Sequence, residues 1–178
     1  MIDKVKERIR EVKDFPKPGI GFKDITPLIE DAGSFHHVID LLAEWAEKLK
    51  PDIIAGIESR GFIFAAPVAY QLKLGLALIR KKGNLPYKTV GVRAPNEYAV
   101  ENFEMHIDSV DEGQRVVVID DLIATGSSSI SAVDLVKKLG GNVIGFGVLV
   151  DLEFLKGVEA IHKAHPDTEI LSLIKFNE

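Results

Sequence analysis

The sequence contains no cysteine among its 178 residues. This absence excludes disulfide bonds, thiolate catalysis and cysteine-ligated metal sites, and it is compatible with a reducing compartment. Long apolar runs are absent too: none reaches the ~20 residues that a membrane span needs. The amino-terminal residues are charged and amphipathic rather than apolar, unlike a signal peptide. We therefore expect a cytoplasmic protein with no membrane partner.

The sequence also lacks an excess of positive charge. It has 22 basic and 27 acidic residues, for a net charge of −5, and this acidic balance does not indicate binding to nucleic acid. What the chain does have is 46% hydrophobic residues, enough at this length for one core, whereas two domains would be cramped. We expect a single domain over residues 1–178.

Apolar, β-branched runs alternate with helical patterns, which is typical of an α/β fold with helices on both faces of a mainly parallel sheet. Strands are predicted at residues 53–57, 76–79, 116–119 and 143–150, with a fifth candidate at 170–173. Helices are predicted at residues 35–49, with Ser34 as N-cap, at 62–72, and at 128–139, where Gly140-Gly141 is a stop signal.

Two stretches interrupt this alternation. Residues 14–27 contain three prolines and two glycines, and residues 81–102 are polar with further glycines and prolines, so both are predicted to be loops. Compact domains seldom carry so long a loop as the second without a use for it, which favours an active-site flap. The alternative is a hairpin with a disordered tip.

The segment of residues 116–129 carries the clearest functional signal. Its apolar strand runs into two adjacent acids, Asp120 and Asp121, and then into a small, hydroxyl-rich turn before a helix. At the carboxyl end of a strand, carboxylates can accept hydrogen bonds from vicinal hydroxyls, and helix-opening amides favour a phosphate. The segment therefore predicts a sugar-phosphate site. A plain strand, turn and helix cap gives a similar pattern, but two mutually repelling carboxylates favour the functional interpretation.

This segment resembles the phosphoribosyl-pyrophosphate motif of type I phosphoribosyltransferases, in which an apolar strand, two acids and an Ala-Thr-Gly turn follow one another. Three further stretches resemble the adenine phosphoribosyltransferase branch of that family: residues 15–25, Glu58-Ser59-Arg60-Gly61-Phe62, and residues 80–86. Together they span most of the chain in the family's order. The resemblance implies a type I phosphoribosyltransferase fold with a base-binding hood in residues 1–30 and a flexible flap in residues 81–102.

The same resemblance implies a reaction and its partners. The enzyme would transfer the 5-phosphoribosyl group from phosphoribosyl pyrophosphate to adenine, giving AMP and pyrophosphate in purine salvage. Mg²⁺ would be carried by the substrate, bound through water and ligand oxygens, so no metal-binding protein residues are expected. The histidines, including His36 and His37, look like surface or helix residues rather than a cluster. A homodimer is expected.

Residue roles follow from the matched motifs. The 5′-phosphate would lie in the turn of Ala124, Thr125, Gly126, Ser127 and Ser128, beside the ribose-binding acids Asp120 and Asp121. Pyrophosphate is assigned to Ser59, Arg60, Arg80, Lys81 and Lys82. The base is assigned to Gly21, Phe22, Lys23, Leu122 and Ile123.

Several of these roles have ordinary alternatives. Arg60 follows a buried strand and precedes a helix, which favours a ligand-facing charge over a surface arginine. The run from Arg80 to Lys82 could instead be a solvated face, or could reach a neighbouring subunit. Phe22 could stack on a purine or simply anchor its loop in the core, and the sequence favours neither.

The flap departs from the family pattern. Glu101, after Tyr98-Ala99-Val100, best matches the family's flap carboxylate, which would accept the purine proton or hold the base. The family usually continues with Tyr-Gly and further residues, whereas this chain is several residues shorter, so Glu104 is an alternative counterpart. The turn has serines at 127 and 128 where the family more often has glycine and threonine.

These departures leave other functions open. One keeps the chemistry with hypoxanthine, guanine or xanthine as acceptor, because the sugar-phosphate motif does not read the base. The other is a non-catalytic regulator that senses phosphoribosyl pyrophosphate, although the chain has no added helix-turn-helix and is acidic.

Overall fold

The structure is a computed structural model that describes residues 2–19, 21–93 and 102–177. It divides into two compact units, residues 1–41 and residues 42–178, which we describe separately. No helix in the described ranges is long and apolar enough to cross a membrane. The single domain expected from the sequence stays a prediction.

The first unit is built around a short antiparallel pair of strands. Its elements are α1 (Ile2–Lys6), β1 (Arg10–Val12), β2 (Phe22–Asp24), α2 (Thr26–Glu30) and the beginning of α3 (Ala32–Leu49). Arg10 pairs with Asp24 across the strands at 2.8 Å. The loop predicted for residues 14–27 is therefore wrong at β2 and at the start of α2. A strand of three residues is too short to leave a period-two pattern in the sequence.

Asp31, rather than the predicted Ser34, caps the amino end of α3. Its Oδ2 accepts a hydrogen bond from the Ser34 amide at 2.9 Å, and its carbonyl accepts one from the Phe35 amide. The hydrogen bonds from the side chain and amide of Ser34 hold the pKa of Asp31 below its usual range. The helix thus begins at Ala32, and Ser34 lies in its first turn.

The second unit contains the central sheet. After α3 come β3 (Ile53–Ile57), α4 (Gly61–Leu72), β4 (Gly75–Lys81), β5 (Thr89–Arg93), β6 (Asn102–His106), β7 (Arg115–Ile123), α5 (Ser127–Lys138), β8 (Asn142–Leu152), a 3₁₀ turn (Glu153–Leu155), α6 (Gly157–Ala164) and β9 (Glu169–Phe176). All five predicted strands and the predicted helices are confirmed, most with slightly wider bounds. Sequence analysis did not predict α6.

The sheet has the order β5-β6-β4-β3-β7-β8-β9. Strands β4, β3, β7, β8 and β9 are parallel to their neighbours, whereas β6 runs antiparallel to β4 and β5 antiparallel to β6. If the five parallel strands are numbered 1 to 5 along the chain, their order across the sheet is 2-1-3-4-5. Their connections therefore reverse direction between β3 and β7, the position at which open α/β sheets bind ligands. Helix α4 packs against β3, β4 and β7, and α5 and α6 pack against β8.

The stretch predicted as a flap is partly strand. β5 lies within it and β6 begins at its last residue, and the two strands form an antiparallel pair from Thr89↔His106 to Arg93↔Asn102. The strands correspond to the hairpin alternative, and residues 94–101 lie outside the described residues. The polar appearance that hid β6 comes from Glu104, which is buried between Phe103 and Met105.

The carboxyl end of α5 is closed by the predicted glycines. Gly140 adopts a φ of +95°, a conformation that glycine reaches without steric cost. The Gly141 amide donates to the Val136 carbonyl and the Gly140 amide to the Lys137 carbonyl. This arrangement is a Schellman motif, which satisfies two terminal carbonyls of the helix.

A buried histidine joins the end of α6 to α5. Lys137 Nζ lies 3.0 Å from His165 Nδ1, and His165 Nε2 lies 3.0 Å from Asp134 Oδ1. Because an ammonium group can only donate, Nδ1 accepts and the proton of the neutral ring is on Nε2. Burial, and then the charge of Lys137, lower the pKa of His165, while Asp134 opposes them. We refer to these three residues as the His165 cluster.

The His165 cluster predicts a pH-dependent stability. A histidine whose pKa is lower in the folded chain favours folding above its unfolded pKa, about 6.5, and that contribution is lost as the pH falls. His165→Gln keeps one donor and one acceptor without titrating. Between pH 7.5 and 5.5 we expect the Tm of the wild type to fall by about 2–4 °C more than that of the variant. Parallel melting curves for the two proteins would contradict this.

Candidate active site

A cleft of about 470 Å³ lies in the second unit, at the carboxyl ends of β3 and β7 where the strand order reverses. Its volume is in the range of small-molecule sites. The cleft is lined by Ile57, Glu58, Ser59, Arg60, Lys81, Phe103, Asp120, Asp121, Leu122, and residues 124–129. The structure thus brings together the turn after β3 and the acid pair and turn after β7, as the sequence predicts.

The two acids are both buried at the cleft. Asp120 is 8% exposed and Asp121 6% exposed, and the Asp121 amide donates to Asp120 Oδ1 at 2.8 Å. Burial, and then the neighbouring Asp121 charge, raise the pKa of Asp120 well above its usual value. Burial also raises the pKa of Asp121, while Arg60 opposes the shift. Keeping two carboxylates here costs stability, which is typical of functional sites.

Arg60 pairs with one acid while lying at the cleft surface. Its Nε is 2.7 Å from Asp121 Oδ2, and its side chain is 41% exposed. The next residue, Gly61, lies against the end of β7, since a Cβ there would be 2.8 Å from Asp120 Oδ1 and 2.9 Å from the Ile119 carbonyl. Glycine therefore allows the turn after β3 to approach the acids. The peptide bond between Glu58 and Ser59 is cis.

The turn after β7 opens helix α5. Gly126 has a φ of +83°, and its carbonyl accepts a hydrogen bond from the Ile130 amide at 2.8 Å. Thr125 Oγ1 and Ser127 Oγ are 3.2 Å apart. The first amides of a helix have no acceptor within the helix, and its dipole favours an anion there. Residues 124–128, which we call the phosphate loop, thus have the geometry of an anion site.

Only one of the three basic residues at the end of β4, Arg80 to Lys82, lines the cleft. Lys81 lies on it, whereas Arg80 donates through Nε to Glu58 Oε2 at 3.2 Å and through Nη1 to the Asn84 carbonyl. Lys82 uses its amide to donate to the Asn102 carbonyl and does not line the cleft. The structure therefore separates the predicted basic run into residues with different surroundings.

Glu58 is a residue whose role sequence analysis missed. Its carboxylate also accepts hydrogen bonds from the Lys81 amide at 2.9 Å and from Asn84 Nδ2 at 2.8 Å. Burial raises its pKa, but the hydrogen bonds from Asn84, Lys81 and Arg80 outweigh burial and hold the pKa below its usual value. Glu58 thus ties the turn after β3 to the end of β4 and to Asn84 beyond it. Its only sequence signal was its place in the Glu58-Ser59-Arg60-Gly61-Phe62 motif.

The two candidate flap carboxylates are distinguished in part. Glu104 is 7% exposed and accepts hydrogen bonds from the amides of Gly83 and Leu85 and from Thr89 Oγ1, at 2.9, 3.3 and 3.2 Å. Its oxygens are therefore engaged by the base of the hairpin, and it does not line the cleft. Glu101 lies outside the described residues.

The predicted base-binding residues fall in both units. In the first unit, Phe22 packs edge-to-face on Phe15 at 5.2 Å, and Lys23 donates to Glu11 Oε1 at 3.1 Å. A Cβ at Gly21 would lie 2.9 Å from the same Glu11 oxygen.

In the second unit, the two predicted base residues have different surroundings. Leu122 lines the cleft. Ile123 is 1% exposed and belongs to the hydrophobic core.

No group of three or more His, Asp or Glu side chains within the described ranges is placed to hold a metal ion. The cleft does offer carboxylate oxygens at Asp120 and Asp121, the hard donors that Mg²⁺ prefers. His36, on α3, is exposed and hydrogen-bonds the Ala32 carbonyl.

Comparisons with known proteins agree with this geometry. Residues 29–178 match the model of the phosphoribosyl transferase domain. The adenine phosphoribosyltransferase of Caldicellulosiruptor saccharolyticus is 53% identical over 155 residues, 87% of this chain and 89% of that protein.

Two solved structures are similar over nearly their whole length. The adenine phosphoribosyltransferase of Thermoanaerobacter pseudethanolicus has a TM-score of 0.90 and 45% identity, covering 99% of this chain and 100% of that one. The Saccharomyces cerevisiae enzyme, complexed with adenine and an imino-altritol bisphosphate, has a TM-score of 0.87 and 32% identity, covering 97% and 98%.

Proposed function

This chain belongs to the adenine phosphoribosyltransferases of the type I phosphoribosyltransferase family, and from that membership we propose how its cleft carries out purine salvage. The reaction transfers the 5-phosphoribosyl group of phosphoribosyl pyrophosphate to adenine and gives AMP and pyrophosphate. The observation that supports the cleft as its site is the meeting of a buried acid pair, an anion-binding loop and an arginine at the strand reversal.

The activated sugar lies across the cleft in this proposal. Its 5′-phosphate occupies the phosphate loop, where helix-opening amides and the hydroxyls of Thr125, Ser127 and Ser128 can donate to it. The ribose hydroxyls donate to Asp120 and Asp121, whose burial at the cleft floor makes those charge-assisted hydrogen bonds strong. This placement puts the pyrophosphate toward the turn after β3.

Ser59, Arg60 and Lys81 surround that end of the cleft. The planar guanidinium of Arg60 can bind pyrophosphate oxygens bidentately while its Nε stays on Asp121. Arg80, which pairs with Glu58, acts on this end by holding Lys81 and the turn in place. We assign no direct contact to Lys82.

The chemistry needs no protein nucleophile. The C1′–O bond to pyrophosphate breaks through an oxocarbenium-like state, and the purine nitrogen forms the new bond from the opposite face of the ribose. The chain contributes by fixing the reacting groups and by stabilising charge on the departing pyrophosphate through Arg60 and Lys81. Glu101 is our candidate to receive the purine proton, because Glu104 is already engaged by the hairpin.

Mg²⁺ fits this arrangement as an ion carried by the substrate. Bound to phosphoribosyl pyrophosphate, it would neutralise charge on the leaving group. Among the residues that line the cleft, Asp120 and Asp121 would be the ones to contribute carboxylate oxygens to it.

For the base, we propose Leu122 as a stacking residue of the second unit, and in the first unit Phe22 for stacking and backbone groups around Gly21 and Lys23 for reading the edge. Stacking is tolerant of base identity, so edge hydrogen bonds must supply the preference for adenine. Ile123 supports this region from the core. We also propose a homodimer, a state compatible with the exposed Ile63 and Tyr70, which lie two turns apart on one face of α4.

The test is nucleotide formation from adenine, hypoxanthine, guanine and xanthine, each with phosphoribosyl pyrophosphate and Mg²⁺. We expect adenine-selective formation of AMP and pyrophosphate in equal amounts. Faster turnover of another base would show that this base, and not adenine, is the preferred acceptor. Binding of phosphoribosyl pyrophosphate without turnover of any base would favour the non-catalytic regulator.

A further inference from the structure

The phosphate loop rests on the backbone of helix α6, which no substrate role described above includes. A Cβ at Gly126 would lie 2.7 Å from the Gly157 carbonyl oxygen. A Cβ at Gly157 would in turn overlap the Ala124 carbonyl and lie 2.9 Å from the Gly126 amide nitrogen. The two glycines therefore let two backbones touch directly, with no side chain between them.

Helix α6 is joined to the rest of the second unit at its middle and at its carboxyl end. At its amino end, Lys156 adopts a φ of 55° and its carbonyl accepts a hydrogen bond from the Ala160 amide. In its middle, Ile161 is fully buried in the core. At its carboxyl end, the His165 amide donates to the Ile161 carbonyl, and the His165 cluster fastens the helix end to α5. Since α5 begins at the phosphate loop, α6 supports the loop and the helix that opens from it.

We propose that Gly157 is a positioning residue that sets the shape of the phosphate loop and, through it, the affinity for the 5′-phosphate. The inference rests on the proposed function, in which residues 124–128 hold that phosphate. Backbone amides that point at a phosphate lose their hydrogen bonds when the backbone moves by a fraction of the hydrogen-bond length. Any side chain at position 157 must displace the carbonyl of Ala124, which is the first residue of the loop.

The test compares the wild type with Gly157→Ala and with the matched control Gly75→Ala. Gly75 opens β4 away from the cleft, and a Cβ there meets only Ile53 atoms, at an ordinary 3.7 Å. For each protein the Km for phosphoribosyl pyrophosphate and for adenine is measured, together with product inhibition by AMP and by pyrophosphate. The inhibition constant of AMP measures binding at the phosphate loop, and that of pyrophosphate measures binding at the turn after β3.

For Gly157→Ala we expect the KM for phosphoribosyl pyrophosphate and the inhibition constant of AMP to rise about 10- to 100-fold. The KM for adenine, the inhibition constant of pyrophosphate and all constants of Gly75→Ala should stay within about twofold of the wild type. An unchanged KM and AMP constant in a folded Gly157→Ala protein would overturn the proposal. So would an equal loss of AMP and pyrophosphate binding, which indicates general damage.

A second variant covers the case in which Gly157→Ala does not fold. Ile161→Ala loosens α6 from the core without adding an atom beside the loop, and the same split between AMP and pyrophosphate is expected. Calorimetric titration with ribose 5-phosphate reports the loop without any turnover. If the wild type forms no AMP but binds ribose 5-phosphate more tightly than the variants do, the proposed function fails while the role of Gly157 holds.

Discussion

Replacing both Asp120 and Asp121 with asparagine is expected to lower kcat/KM about 10²- to 10⁴-fold. Each carboxylate accepts a charge-assisted hydrogen bond from a ribose hydroxyl in the proposed complex, worth about 1.5–3 kcal/mol, and each 1.4 kcal/mol corresponds to about a factor of ten. Asparagine keeps the size of each side chain but removes the charge. Steady-state kinetics with adenine measures the loss, and unchanged activity would refute the ribose assignment.

The same substitutions should make the protein more stable. Burial raises the pKa of both carboxyl groups in the folded chain. An acid with a raised pKa costs no stability below its unfolded pKa, near 3.9, and costs progressively more as the pH rises above it. Removing the acids should therefore raise the Tm at pH 7.5, by about 2–4 °C for each kcal/mol.

The control for this pair of effects is Asp108→Asn, an exposed acid between β6 and β7. It should leave kcat/KM near the wild-type value, because Asp108 does not line the cleft. Loss of activity with a lower Tm in the Asp120 and Asp121 variant would point to misfolding instead of a lost ribose contact.

Arg60→Ala is expected to raise the KM for phosphoribosyl pyrophosphate about 10- to 150-fold and to lower kcat as well. Losing the guanidinium removes charge-assisted hydrogen bonds of about 1.5–3 kcal/mol that are stronger when pyrophosphate departs. Arg60→Lys, which keeps the charge but not the planar fork, should fall between the wild type and alanine. The KM for adenine should change little.

Arg60→Ala should also move the acidic limb of the pH profile. Arg60 opposes the rise in the Asp121 pKa, so its removal raises that pKa further. Since Asp121 must be ionised to accept from the ribose, the acidic limb of kcat/KM should shift to higher pH. A profile that keeps its position, together with an unchanged KM, would place Arg60 outside the pyrophosphate site.

The sequence predicts the parallel strands and the acid pair because both depend on local patterns. An apolar β-branched run followed by Asp120 and Asp121 marks a buried strand and its ligand-binding end without knowledge of its neighbours. The order of the strands, by contrast, arises from long-range pairing. The strand β6 was hidden for a similar reason, since Glu104 is buried only because the hairpin base supplies its hydrogen bonds.

Residues that act on the site through tertiary contacts could not be predicted. Glu58 is one acid in a motif until Arg80, Lys81 and Asn84 fold against it. Gly157 is distant in sequence from the loop it touches, and the close approach of two backbones leaves no trace in hydrophobic periodicity. Both residues lie at the junction of elements far apart in the chain.

The carboxylates of Glu58 and Glu104 hold the base of the hairpin through hydrogen bonds that do not involve the connection between β5 and β6. Among the described residues, the hydrogen bonds that these carboxylates accept come from residues 80–89, which end at the first residue of β5. A change in the length of the connection between β5 and β6 would leave these hydrogen bonds in place. Lys81 would therefore stay at the cleft whatever the length of that connection.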